Sequence, residues 1–218
     1  MASQEAKAFR RAAKKREIRM ARKANAATAI GELKPGAEIF VLTYGQFSLI
    51  EAIDALLEQT GPAEVVLSTW TAGHADLTKS AKLLEAAAIT RFRLIVDSSF
   101  LNRKPEWCAH MLKVFGEDCI RVWRGHAKFA VIRNEKWNLA VRTSMNLNTN
   151  PRLENLEISD DPEFSGFLWD VVESHFQDEA PGYDHEEWRL PELSEMRDTV
   201  DPVQIEMGEI TNVGRVKI

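Results

Sequence analysis

The chain reads as a mixed α/β protein, a largely parallel sheet flanked by helices, and two observations lead there. From Pro35-Gly36 onward, short runs rich in Val, Ile, Leu and Phe alternate with longer amphipathic stretches. That alternation is the pattern of a parallel sheet covered by helices on both faces. Two further apolar runs, Phe129–Ile132 and Trp137–Val141, are separated by Asn134-Glu135-Lys136, a hairpin spacing that adds an antiparallel pair. A third observation divides the chain. Residues 1–25 carry nine Lys/Arg against two Glu, a net of +7, while residues 151–218 carry five against eighteen Asp/Glu, a net of −13. The segments are therefore expected to be a basic helical arm (1–34), an α/β domain (35–178) and an acidic C-terminal tail (179–218).

Residues 4–26 are rich in Ala, Lys, Arg and Glu and contain neither Gly nor Pro, so composition predicts a helix. Ile39–Leu42 reads as the first strand, and Phe47–Gln59 as a helix stopped by Gly61-Pro62. Val65–Leu67, running into Trp70, is the next strand, Ala75–Ala87 a helix and Phe92–Val96 a strand. Pro105–Phe115 starts with Pro at a tolerated first-turn position and ends at Gly116, so it too is helical. Ile120–Trp123 is a strand that leads into the hairpin. Asp160-Asp161-Pro162-Glu163 then caps a helix reaching about Phe176. Beyond Ala180 the chain has three Pro, many acids and scattered apolar residues, the composition of a tail with short ordered pieces.

The arm has too poor an apolar stripe for a membrane or a coiled coil, because Phe9 and Met20 share one helical face while Ile18 lies opposite. Its Lys and Arg residues surround the axis, and a polyanion is the partner they suit. Arg10, Arg11, Lys14, Lys15, Arg19 and Arg22 are the expected nucleic-acid contacts, with DNA ahead of RNA and a steep salt dependence. The alternative is a solvated arm with no partner. No window approaches the ~20 apolar residues of a membrane span, and no apolar stretch follows the basic start as in a signal peptide. A cytoplasmic location is expected. Cys108 and Cys119 then read as reduced thiols rather than a disulfide.

The chemistry concentrates between residues 126 and 157. His126 and Lys128 precede the first hairpin run, Ser144 and Asn146 follow the second, and Asn155 and Glu157 read as part of the loop after it. A His and a Lys two residues apart on an extended segment point the same way. An ammonium can then neutralise a phosphate oxygen while a neutral imidazole approaches phosphorus as a nucleophile. Cys108, His110 and Cys119 are a poor zinc template, and His74 with Asp76 reads as an ordinary loop pair.

This ordered set resembles the signature of the phospholipase D superfamily: His-x-Lys, an Asp after four further residues, then Gly-Ser-x-Asn and Asn-x-Glu. Two positions depart from it, Arg133 at the Asp and Thr143 at the Gly. The order of strands and helices over roughly residues 37–177 is similar to one half of that fold. The resemblance is nearest to single-motif bacterial endonucleases, since His74, His110, His175 and His185 lack a Lys at the motif spacing.

The resemblance implies a metal-independent phosphodiesterase acting on nucleic acid as a homodimer, with no cofactor. His126 would be nucleophile in one subunit and general acid in the other. Lys128 and Asn146 would bind non-bridging phosphate oxygens, and Ser144 would bind the same phosphate or support the loop. Glu157 would orient a His126 ring across the subunit interface. Arg133 would add a phosphate contact or mark a site that has drifted to binding only. The alternative is accordingly a catalytically inactive DNA-binding protein of the same fold. A phospholipase or phosphatidyltransferase is the third reading, and the basic arm counts against it.

Overall fold

Residues 15–182 are described in the computed structural model, and they build one mixed sheet in the order β1-β2-β8-β7-β6-β3-β4-β5. Its strands are β1 (Glu17–Ala21), β2 (Glu38–Thr43), β3 (Ala63–Thr69), β4 (Ile89–Asp97), β5 (Ile120–Trp123), β6 (Phe129–Arg133), β7 (Asn138–Thr143) and β8 (Glu154–Asp160). The helices are α1 (Ala26–Ile30), α2 (Leu49–Thr60), α3 (His74–Glu85), α4 (Ser99–Arg103), α5 (Pro105–Phe115) and α6 (Pro162–Asp178). Arg10, Arg11, Lys14 and the acidic tail from residue 183 lie outside the described residues.

Three expectations are corrected. Within the described residues, part of the helix expected over residues 4–26 is instead β1, which pairs in parallel with β2 from Glu17↔Ile39 to Ala21↔Thr43. Helix-favouring composition is a weak local preference, and a row of ladder hydrogen bonds to a buried neighbour outweighs it. The sheet thus reaches back to Glu17, and Asn25 then caps α1 by accepting from Thr28 N at 2.9 Å.

The sheet is also less parallel than expected. β1–β2, β3–β4 and β4–β5 are parallel, whereas β2–β8, β8–β7, β7–β6 and β6–β3 are antiparallel. The hairpin β6–β7 sits inside the sheet, where together with β8 it separates β2 from β3. Finally, residues 154–160 read as loop in the sequence but form β8, because they close the gap between β7 and β2.

Each face of the sheet has its own core. Val66, Ile95, Phe129 and Val131 project towards α6 and pack on Trp169, Val172 and Phe176. Each such buried side chain contributes about 1.5–3 kcal/mol. The residues between them, Val65, Leu67, Leu94 and Ile132, point the other way and are fully buried. α5 closes that side through Phe115, whose ring lies 5.1 Å from Phe92.

The consequence for function is positional. The pairings Thr43↔Glu154, Thr143↔Leu156, Phe129↔Arg142, Ser68↔Phe129 and Asp97↔Trp123 bring the ends of β2, β3, β4, β5 and β7 and the starts of β6 and β8 to one end of the sheet. That end, where parallel strands finish, is where α/β sheets bind ligands.

Candidate active site

His126 and Lys128 sit in the segment that enters β6 at this end. Ser68 Oγ, on β3, donates to the Ala127 carbonyl at 2.8 Å and pins the segment between them. Lys128 Nζ donates to the His126 carbonyl at 3.0 Å and lies 3.0 Å from Nδ1 and 3.4 Å from Nε2 of the same residue. The ammonium therefore rests against the edge of an exposed imidazole. Partial burial lowers the Lys128 pKa below the ordinary lysine value, and the carboxylates of Glu154 and Asp97 oppose that fall. Asp97 is itself held in place, accepting from Ser99 N at 3.0 Å and Gly125 N at 3.2 Å.

The loop leaving β7 carries the other polar groups. Thr143 N donates to the Lys128 carbonyl at 3.2 Å, joining the two halves of the motif. Ser144 Oγ donates to a Glu154 carboxylate oxygen and accepts from Asn155 N at 3.0 Å. The Asn146 carbonyl accepts the first free N–H of α2, from Leu49, at 3.3 Å. Its side-chain Oδ1, like that of Asn148, is buried and has no hydrogen-bond partner among the described residues. The loop's onward path depends on Gly45, in the left-handed region at φ 69°. A Cβ there would lie 1.6 Å from the Asn150 carbonyl oxygen, so only glycine fits.

Glu157 is not part of this cluster within its own chain. On β8 it pairs across the sheet with Phe40 and Arg142, faces α6, and forms an ion pair with Arg142. Side chains three apart on a strand project to opposite faces. The carboxylate at the motif is Glu154, which the sequence reading missed. The signal was legible once residues 154–160 are taken as a strand, because only even spacings from residue 154 share its face.

By sequence, no family model and no curated protein matches the chain. By structure it is similar to NucT from Helicobacter pylori, at 16% identity over 66% of this chain and 99% of that one, with a TM-score of 0.45. It is also similar to Nuc from Salmonella typhimurium, described as a phospholipase D family member, at 10% identity over 61% and 91%, TM-score 0.45. A phosphatidylserine synthase from Haemophilus influenzae follows at 16% identity over 66% and 39%, TM-score 0.44.

Both departures from the phospholipase D-like signature have local explanations. Thr143, at the Gly position, uses its hydroxyl to shape the turn: Oγ1 donates to the Asn155 carbonyl at 2.6 Å and accepts from Met145 N at 3.0 Å. Arg133, at the Asp position, lies at the far end of β6 from His126. Its Nε donates to Glu64 at 3.0 Å and its guanidinium carbon lies 3.2 Å from the Trp169 ring centroid. An open cleft of about 380 Å³ adjoins it, lined also by Thr90 and Asn134. Arg133 therefore stands away from the motif and braces α6.

Of the described arm residues, Lys15 is exposed ahead of β1. Arg19 turns back to Glu17 and lies against Gly31. Arg22 stands at the motif end of the sheet, 5.6 Å from the Tyr44 ring centroid. Cys108 and Cys119 are free thiols. Among the described residues no group of three or more His, Cys, Asp or Glu could hold a metal, and no helix is long and apolar enough to cross a membrane.

Proposed function

We propose that the protein is a phosphodiesterase that cleaves nucleic acid, DNA ahead of RNA, as a homodimer and without a metal. The observation that carries this reading is the contact between Lys128 and an exposed His126, with Glu154 and Ser144 behind it, at the ligand-binding end of the sheet. A solvent-facing imidazole touched by an ammonium is poised for a phosphate, which attracts the lysine and receives the ring.

In the first step the unprotonated ring nitrogen of His126 attacks phosphorus. A P–N bond forms, the P–O bond to the leaving nucleotide breaks, and that oxygen takes a proton from the partner subunit's His126. In the second step the partner subunit's imidazole, now neutral, removes a proton from water. The resulting hydroxide attacks phosphorus and releases His126. Lys128 and the Asn146 amide hold the non-bridging oxygens as charge builds on them, and Lys128 supplies the positive charge. The Glu154–Ser144 pair fixes the loop that carries Asn146, and the Glu154 charge opposes the fall in the Lys128 pKa. Two copies are required because one imidazole cannot be nucleophile and acid at once. The basic segment ahead of β1, from Lys7 to Lys15, supplies attraction to the polyanion independent of base sequence.

The test is cleavage of labelled DNA in EDTA by the wild-type protein and by His126→Ala, with solution mass measured in parallel. Cleavage that survives EDTA, disappears in the variant and tracks a dimer is expected. A protein that binds DNA but cuts none, in either form, is a binding protein of this fold instead.

A further inference from the structure

We propose that Trp70 and Arg103 form a stacking platform for an unpaired nucleobase beside the scissile phosphate, so that the preferred substrate is a single strand. The inference rests on the nuclease reading and adds the class of nucleic acid to it.

Trp70 is the first residue past β3, at the same end of the sheet as the motif. Its ring stands 5.3 Å from that of His126, centroid to centroid, tilted by 55°. The guanidinium of Arg103 lies over the indole, with its carbon 3.9 Å from the ring centroid. Arg103 Nη2 donates to the Trp70 carbonyl at 3.1 Å, which holds the arginine in that place. The series is therefore imidazole, indole, guanidinium, running outward from the nucleophile to solvent, because Arg103 is exposed. Arg103 has no carboxylate partner within ion-pair distance among the described residues, so its charge is not spent inside the fold. Lys104 repeats the arrangement beside it, with Nζ 4.8 Å from the Trp107 ring centroid.

A cation on an aromatic ring can serve packing alone. The position of this pair argues for more. A planar guanidinium backed by an indole presents a flat, positively charged surface of the kind on which bases stack. It stands next to the group that would attack phosphorus, within reach of the base attached to that phosphate. In a duplex the faces of a base are covered by its neighbours, so only an unpaired or splayed base can occupy the platform.

The experiment compares kcat/KM and anisotropy-derived Kd for one single strand, the same strand in a duplex, and the same strand with an abasic site at the cleaved position. The proteins are wild type, Arg103→Lys, Trp70→Phe and Trp70→Leu. Arg103→Lys keeps the charge and loses the plane. It is expected to keep the salt slope and the duplex rate while losing about 5- to 100-fold on the intact single strand. Trp70→Leu should lose a similar amount and Trp70→Phe less, and the abasic strand should be equally poor for all four proteins. Wild type treating intact, abasic and duplex DNA alike overturns the platform, as does an Arg103→Lys loss shared equally by all three substrates. Cleavage without any base preference removes the platform and leaves the nuclease. Preference for the intact strand in binding, without cleavage of anything, removes the nuclease and leaves the platform.

Discussion

The hydroxyl of Ser144 donates to Glu154, while Glu157, three residues along the same strand, faces the opposite side of the sheet and pairs with Arg142. Glu154→Gln should therefore lower kcat by roughly 10- to 100-fold, the size of one lost charge-assisted hydrogen bond of about 1.5–3 kcal/mol. Glu157→Gln should leave kcat within about twofold, since exposed ion pairs contribute little. Steady-state kinetics of the two variants decide the point, and the opposite ranking would return Glu157 to the site.

Lys128 gives a pH test. Its pKa lies below that of an ordinary lysine because of burial, and Glu154 holds it up. The cationic form is the one that binds phosphate, so the alkaline limb of the activity profile should fall as pH rises through the depressed value. Removing the Glu154 charge removes a stabiliser of the cation, so the alkaline limb of the Glu154→Gln profile should move to lower pH. A limb that stays in place would separate Glu154 from Lys128.

Arg133 should behave as a structural residue. Arg133→Ala removes the Glu64 pair, a third exposed on each side, and the stacking on Trp169. A loss of about 1–2 kcal/mol is expected, mainly from the ring contact. Thermal melting should show the loss, while DNA cleavage and its salt slope stay unchanged. A lowered slope without a lowered Tm would assign Arg133 to the phosphate backbone.

Asp76, near the start of α3, is buried at 8% exposure, and that burial raises its pKa. A carboxyl that holds its proton more tightly when folded stabilises the protein below its unfolded pKa, and that contribution is lost as pH rises through the raised folded value. Urea midpoints should accordingly fall across that window for the wild type and fall less for Asp76→Asn. Equal pH dependence of the two proteins would show that Asp76 is not the source.

The basic segment can be removed without cutting into the sheet if truncation stops before β1. Deleting residues 1–14 takes away Lys7, Arg10, Arg11 and Lys14. Each lost phosphate contact should reduce the salt slope of DNA binding by about 0.9. Deleting residues 1–25 should also destabilise the fold, because it removes the strand paired to β2. An unchanged slope after the shorter deletion would leave the segment without a role in binding.

Much of this protein is legible in its residues alone. Apolar alternation and Gly, Pro and Asp punctuation located α2, α3, α5, α6 and the hairpin, because these signals are local and act within a few residues. The order His126, Lys128, Ser144, Asn146 suggested the proposed chemistry for the same reason: each group is defined by its type and its spacing. Pairing between distant segments is what only the folded chain decided. An Ala- and Arg-rich stretch became β1 once β2 offered it a ladder, and residues read as loop became β8 by filling the space between β7 and β2. That second pairing chose the carboxylate of the site, since strand alternation turned Glu154 towards Ser144 and sent Glu157 to the other face. The fold also set Trp70 beside the imidazole and laid Arg103, 33 positions further on, over its indole. Proximity across such separations depends on which strands are neighbours, and no local pattern encodes that.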